Sequence, residues 1–186
     1  MSRKDFGAKP LLLPQPVLII ASYDEDGTPD AMNAAWGGIS DSDEISISIS
    51  LSHKTTKNIL LKKAFTVSVA DAKHVAACDY FGIESGNNVK DKLAKSGLSV
   101  SKSEKVDAPV INELAVCLEC RLKSFDEKTD ILKGEIVNVS VDESVMTNGA
   151  VDISKVQPIT FDPFNKAYYV IGDKVGDAWG TGLSLK

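Results

Sequence analysis

The segment from Glu44 to Ser52 constrains this chain more than any other. Ile45, Ile47, Ile49 and Leu51 alternate without a break with Ser46, Ser48, Ser50 and Ser52. A period of two sends successive side chains to opposite sides, so the segment reads as a strand with one apolar and one hydroxyl face. Such a strand buries its apolar face only within a sheet backed by a second layer. The rest of the chain offers partners. Val17 to Tyr23 is a continuous apolar run, Asp24-Glu25-Asp26-Gly27 carries turn chemistry, and Asp30 to Trp36 can return as the second arm of a hairpin. Phe65 to Val69, Leu114 to Leu122 and Ile131 to Asp142 alternate in the same way, with shorter candidates at Gln157 to Phe161 and Ala167 to Ile171. Helices are expected at Thr55 to Lys63 behind a hydroxyl cap, at Asp71 to Phe81 behind Asp71, and at Val89 to Lys95 closed by Gly97. The pattern gives about seven strands that cluster around a few central helices rather than alternating with them. That argues against a doubly wound parallel sheet and favours a mainly β (α+β) protein, an antiparallel barrel or sandwich with short helical insertions.

A chain of 186 residues without a linker or internal repeat is expected to form a single domain, residues 1–186. Lys and Arg number 21 against 26 Asp and Glu, a net charge of −5, which argues against nucleic acid or an anionic membrane surface as a partner. The most apolar early stretch, Pro10 to Ala21, is broken by Pro14, Gln15 and Pro16 and is too short to span a membrane. Three cysteines cannot build a disulfide framework, so a reducing, cytoplasmic setting is expected.

Cys117-Leu118-Glu119-Cys120 matches C-x-x-C, but it lies in an alternating strand, where residues three apart face opposite sides. A redox dithiol instead opens a helix, whose N-terminus lowers the thiol pKa. The expected arrangement puts Cys120 in the core and Cys117 on the other face. No zinc-ligand spacing links these cysteines to His53 or His74, and G-x-S-x-G, G-x-G-x-x-G and Walker loops are absent.

Two segments could hold a ligand. In Ser50-Leu51-Ser52-His53-Lys54-Thr55-Thr56-Lys57-Asn58-Ile59, hydroxyls, lysines and a histidine precede a helix. Free N–H groups and the helix dipole make such a place a phosphate site, or the hydroxyls simply cap the helix. In Asn33-Ala34-Ala35-Trp36-Gly37-Gly38, small residues let a flat ligand approach the backbone with the indole as a wall, or they pack the strand closely on a neighbour before a Gly-Gly turn.

In their order, the segments resemble the flavin-reductase-like FMN-binding split-barrel family, and within it the flavoredoxin-type branch. Asp30 to Trp36 resembles the family's strand over the flavin, and Ser52 to Ile59 resembles its phosphate loop and helix. Cys78-Asp79-Tyr80-Phe81-Gly82-Ile83-Glu84-Ser85-Gly86 with Asp91-Lys92-Leu93 resembles its D-x-F-G-x-x-S-G…D-K-F segment. Leu118-Glu119-Cys120 and Gly134-Glu135-Ile136-Val137 match two core strands, and the likeness runs from about residue 10 to about residue 172. It implies an antiparallel split β-barrel, FMN as a non-covalent cofactor, and a homodimer. It also implies that Leu51, Ser52, Thr55 and Thr56 surround the phosphate, with charge from His53 or Lys54. Met32, Asn33, Ala34, Ala35 and Trp36 would line the ring, Lys92 would reach its polar edge, and Phe164 would pack beside it. Thr129 and Asp130 stand where many relatives carry a histidine before the Gly-Glu pair.

The function so implied is a redox protein that accepts hydride or electrons at FMN, either from NAD(P)H as a flavin reductase or in exchange with a redox partner protein as a carrier. The alternative is a non-catalytic module that binds flavin or another phosphorylated ligand. A thiol-redox role for Cys117 and Cys120 is a third class, disfavoured by their strand setting.

Overall fold

The computed structural model describes residues 2–186. In chain order, β1 (Gln15–Pro16), β2 (Leu18–Tyr23), β3 (Pro29–Ala34), β4 (Gly37–Asp41) and β5 (Glu44–Ser48) precede helix α1 (Lys54–Lys62). Strand β6 (Ala64–Val69) leads to α2 (Val75–Ile83) and α3 (Lys92–Lys95), then β7 (Val100–Lys102) and β8 (Pro109–Ile111). The long strands β9 (Val116–Asp126) and β10 (Ile131–Val141) follow, then β11 (Met146–Thr147), β12 (Ala150–Val151), α4 (Ile153–Val156), β13 (Ile159–Asp162) and β14 (Ala167–Val170).

The main sheet has seven strands in the order β3-β2-β6-β9-β10-β5-β4. Its two edge strands are consecutive in the chain, because β3 ends at Ala34 and β4 begins at Gly37. Laid flat, the outer strands would stand about 29 Å apart at roughly 4.8 Å per strand, whereas three residue steps reach only about 10 Å. The sheet therefore has to curl until its edges meet at Ala35 and Trp36. Gly37 lies at the seam: a Cβ there would sit 3.1 Å from Ile47 and 3.2 Å from Leu18, on strands β5 and β2. All the pairings in the sheet are antiparallel. The result is the antiparallel split β-barrel with short helical insertions.

Strand β2 explains its own unbroken apolar sequence, because both of its faces are covered. Leu18 and Ile20 join Met32, Ile45, Ile47, Phe65, Val67, Cys120 and Leu132 inside the barrel, closed at one end by Ile59 of α1. Ile19 and Ala21 face outward into a second cluster with Ala31, Cys78 and Phe81 of α2, Leu93 of α3 and Ile111 of β8. Where two layers press on one sheet, small residues become obligatory: a Cβ on Gly134 would lie 2.3 Å from Phe65 Cζ.

Several boundaries differ from expectation. The strand expected over Glu44–Ser52 ends at Ser48, whose partner Ile131 opens β10. The Ile49 N–H still donates to the Asp130 carbonyl at 2.8 Å, but the chain then turns, and Leu51 is exposed. The strand expected to reach Trp36 ends at Ala34, where β2 begins opposite it. Asp71 accepts the His74 backbone N–H as a capping residue would, yet α2 starts only at Val75. The helix expected over Val89–Lys95 shrinks to Lys92–Lys95, because Ser85 and Asn87 hold the preceding residues in turns. Strand β4, rich in Gly and polar residues, has low strand preference and is held in place by β5.

Candidate functional site

One open cleft of about 500 Å³ follows β3 at the barrel seam, lined by Met32, Asn33, Ala34, Ala35, Trp36 and, across from them, Ser48, Ile49, Ser50, His53, Asp130 and Phe161. Strand β3 pairs only with β2, so its other edge presents unpaired backbone N–H and C=O groups. Trp36 is 57% exposed and forms one wall. Its carbonyl accepts the Ser48 N–H at 2.8 Å, which fixes the link between the sheet edges. The Asn33 side chain is committed elsewhere, since its Nδ2 donates to the Cys78 carbonyl of α2 at 3.0 Å.

At the far side the β5–α1 turn brings the N-terminus of α1 to the same cleft through His53. Helix α1 begins at Lys54, and its cap residue is His53 in an extended conformation, with no side-chain cap hydrogen bond and no acidic residue in the first turn. The N–H groups of Lys54, Thr55 and Thr56 thus have no partner within the helix. Thr56 Oγ1 and Asn58 Nδ2 are buried and unpartnered. Ser52 is exposed and donates its hydroxyl to Ser50 Oγ at 3.1 Å rather than capping the helix. Lys54 lies 3.5 Å from Asp24 Oδ2. This set of free donors with a lysine and a histidine suits an anion the size of a phosphate. No cluster of three or more His, Cys, Asp or Glu that could hold a metal occurs among the described residues.

Thr55 and Lys92 meet somewhere the sequence did not suggest. Both turn to Asp30, on β3: Thr55 Oγ1 donates to Asp30 Oδ2 at 2.5 Å, and Lys92 Nζ stands 3.4 Å from Oδ1. Lys92 Nζ also donates to the Glu84 carbonyl at 3.2 Å. These three side chains border a smaller cavity of about 120 Å³ that shares Met32, Asn33 and His53 with the larger cleft.

Phe164 does not line the cleft. It is half exposed and packs edge-on against Phe6, with centroids 6.2 Å apart. The phenylalanine at the cleft, beside Trp36, is Phe161, tilted against Tyr168 at 5.9 Å. Phe161 was legible as the end of a short strand, whereas Ser48 and Asp130 carried no signal as cleft residues; only the barrel seam brings all three beside Trp36. The two cysteines of C-x-x-C are both buried, because β9 is covered on both faces between Cys117 and Cys120. Burial pushes the Cys120 thiol up to about 12 and raises that of Cys117, so neither is poised as a thiolate.

Similarity to known proteins agrees with this geometry. A protein described as uncharacterized from Aquifex aeolicus (strain VF5) is 25% identical over 159 residues, 80% of this chain and 81% of its own length. The flavoredoxin of Desulfovibrio vulgaris (Miyazaki F) superposes with a TM-score of 0.93 and 38% identity, covering 97% of this chain and all (100%) of that one. Flavoredoxin from Methanosarcina acetivorans superposes with a TM-score of 0.89 and 26% identity over 100% of both chains. Residues 11–160 match the family described as flavin reductase like domain. The split barrel, the near-complete overlap and the family match together place this chain in the flavin-reductase-like family, in its flavoredoxin branch.

Proposed function

We propose that this protein holds FMN without a covalent bond in the cleft along β3, accepts hydride or electrons at the flavin and passes them on. One observation carries the reading: the cleft walled by Met32–Trp36 runs to the uncapped N-terminus of α1. A flat ring and a phosphate on one ligand match those two ends. Redox chemistry belongs to the bound flavin. The chain's part is to bind and orient it. Backbone N–H groups of α1 and the free Thr56 hydroxyl hold the phosphate, with positive charge from Lys54 and the His53 ring beside it. The free edge of β3 offers hydrogen bonds to the ring's polar rim, while Trp36 and Phe161 shield it from water.

The test is a visible absorbance spectrum of purified protein before and after adding FMN and desalting. A retained flavin band with altered fine structure is expected. Colourless protein after reconstitution overturns the reading and leaves Ser52, Thr55 and Thr56 as residues of a helix start.

Electrons can arrive from NAD(P)H or from a redox partner protein. Steady-state oxidation of NADH and NADPH, with free FMN or ferricyanide as acceptor, separates the two: no turnover with either nucleotide leaves the carrier role. The reading includes a homodimer, supported by exposed Leu12 and Trp36 bordering one groove of about 530 Å³ near the site. Sedimentation of the purified protein as a monomer would remove that part.

A further inference from the structure

We propose that Asp30 is a positioning residue that sets the charge beside the bound flavin by holding Lys92 in a neutral buried pair; this rests on the FMN reading above. Asp30 and Lys92 are 6% and 2% exposed, so their charges are weakly screened. Their pair borders the small cavity between α1 and the α2–α3 segment, and Met32, Asn33 and His53 line both that cavity and the larger cleft proposed for the flavin. The same carboxylate fixes the first turn of α1 through Thr55, so one side chain ties β3, the phosphate end and α3 together.

The arrangement is a close one. Lys92 Nζ is near enough to Asp30 Oδ1 for charge pairing but poorly aligned, and Oδ1 is left without a hydrogen bond. Gly86 closes over it so tightly that a Cβ there would lie 2.4 Å from Oδ1. Lys92 is therefore not a free cation aimed at the ring. Its field is cancelled locally by Asp30.

The signs follow from electrostatics. A net positive charge favours the reduced, more negative form of bound flavin and raises its potential, and a net negative charge does the reverse. Asp30→Asn keeps an acceptor for Thr55, removes the negative charge and turns an NH2 group towards Lys92. It is expected to raise the flavin midpoint potential and tighten FMN binding severalfold. Lys92→Met leaves Asp30 uncompensated and is expected to lower the potential and weaken binding severalfold. The double variant Asp30→Asn/Lys92→Met is expected to return towards wild type in both readings. Should Lys92→Met fail to fold with its unpaired buried carboxylate, the double variant buries no net charge and still supplies the comparison with Asp30→Asn. The measurements are redox titration of the bound flavin and FMN affinity by flavin fluorescence. Flavin-retaining wild type with variants unmoved in both, or potentials that fall in both single variants, overturns the role of Asp30 and leaves the FMN reading standing. A wild type that retains no flavin overturns both.

Discussion

Thr55 and Thr56 are neighbours with the same side chain and opposite circumstances. Successive helix positions differ by about 100°, so one hydroxyl reaches Asp30 while the other is buried with no partner. An unsatisfied buried hydroxyl costs about 1–3 kcal/mol, and an apolar isostere removes that cost. Thr56→Val is therefore expected to stabilise the ligand-free protein by about 1 kcal/mol and to weaken FMN binding by about 1–2 kcal/mol. Thermal melts without ligand and flavin titration check the two halves. A variant less stable than wild type would mean that the hydroxyl already has a partner in solution. Trp36 offers a second test at this scale. The chain has two tryptophans, and Trp179 is almost fully exposed in the C-terminal segment. Bound flavin is expected to quench the emission of Trp36, with Trp179→Phe keeping the quenching and Trp36→Phe abolishing it. The sequence marked Ser52 to Ile59 as the candidate phosphate end, but it could not separate the two threonines or find Asp30. That residue is 25 positions before Thr55 and meets it only because β3 lies beside α1.

Between strands, Glu44 shows how pairing recruits charge. It opens β5, and Lys123 of β9 and Lys133 of β10 donate to its carboxylate at 2.7 and 2.9 Å. Those bonds, with one from Ser40, pull its pKa from 4.5 down to about 2. A carboxyl whose folded pKa is depressed contributes stability above its unfolded value, and that contribution fades as pH falls through the folded one. Glu44→Gln is thus expected to melt below wild type at neutral pH. The gap should close between about pH 4.5 and about pH 2. Melting curves across that range decide it, and a gap independent of pH sinks the assignment. Gly134 tests packing on the neighbouring strand. Its Cα faces the Phe65 ring so closely that Gly134→Ala is expected to destabilise by about 1–3 kcal/mol, the usual cost of overpacking a filled core. A neutral substitution would mean that the Phe65 ring can shift. The strands themselves were legible, since β5, β6, β9 and β10 all carry the period-two signature. Their ends were not, because a ladder stops where its partner stops: Ser48 ends opposite Ile131 even though the Ile/Ser alternation runs on.

Across the whole molecule, closure at Ala35–Trp36 is the decisive feature. It makes one cleft from residues far apart in sequence. Residues 172–186 lie outside the sheets. Nearly every residue in that segment is exposed, so truncation after Ile171 is expected to leave the melting temperature of the isolated chain unchanged. A marked drop would mean that the segment packs in solution. The amino-acid sequence by itself determined the class of fold, because hydrophobic period is a local property written into each segment. Order of motifs along the chain was enough to indicate the family. Tertiary structure alone decided which side chains converge. It turned Thr55 and Lys92 inward to Asp30, moved Phe164 away from the cleft and brought Phe161 to it. The physical reason is that sheet curvature and two-sided burial are set by packing between distant strands, and no local pattern encodes which hydroxyl, amine or ring is left facing the opening.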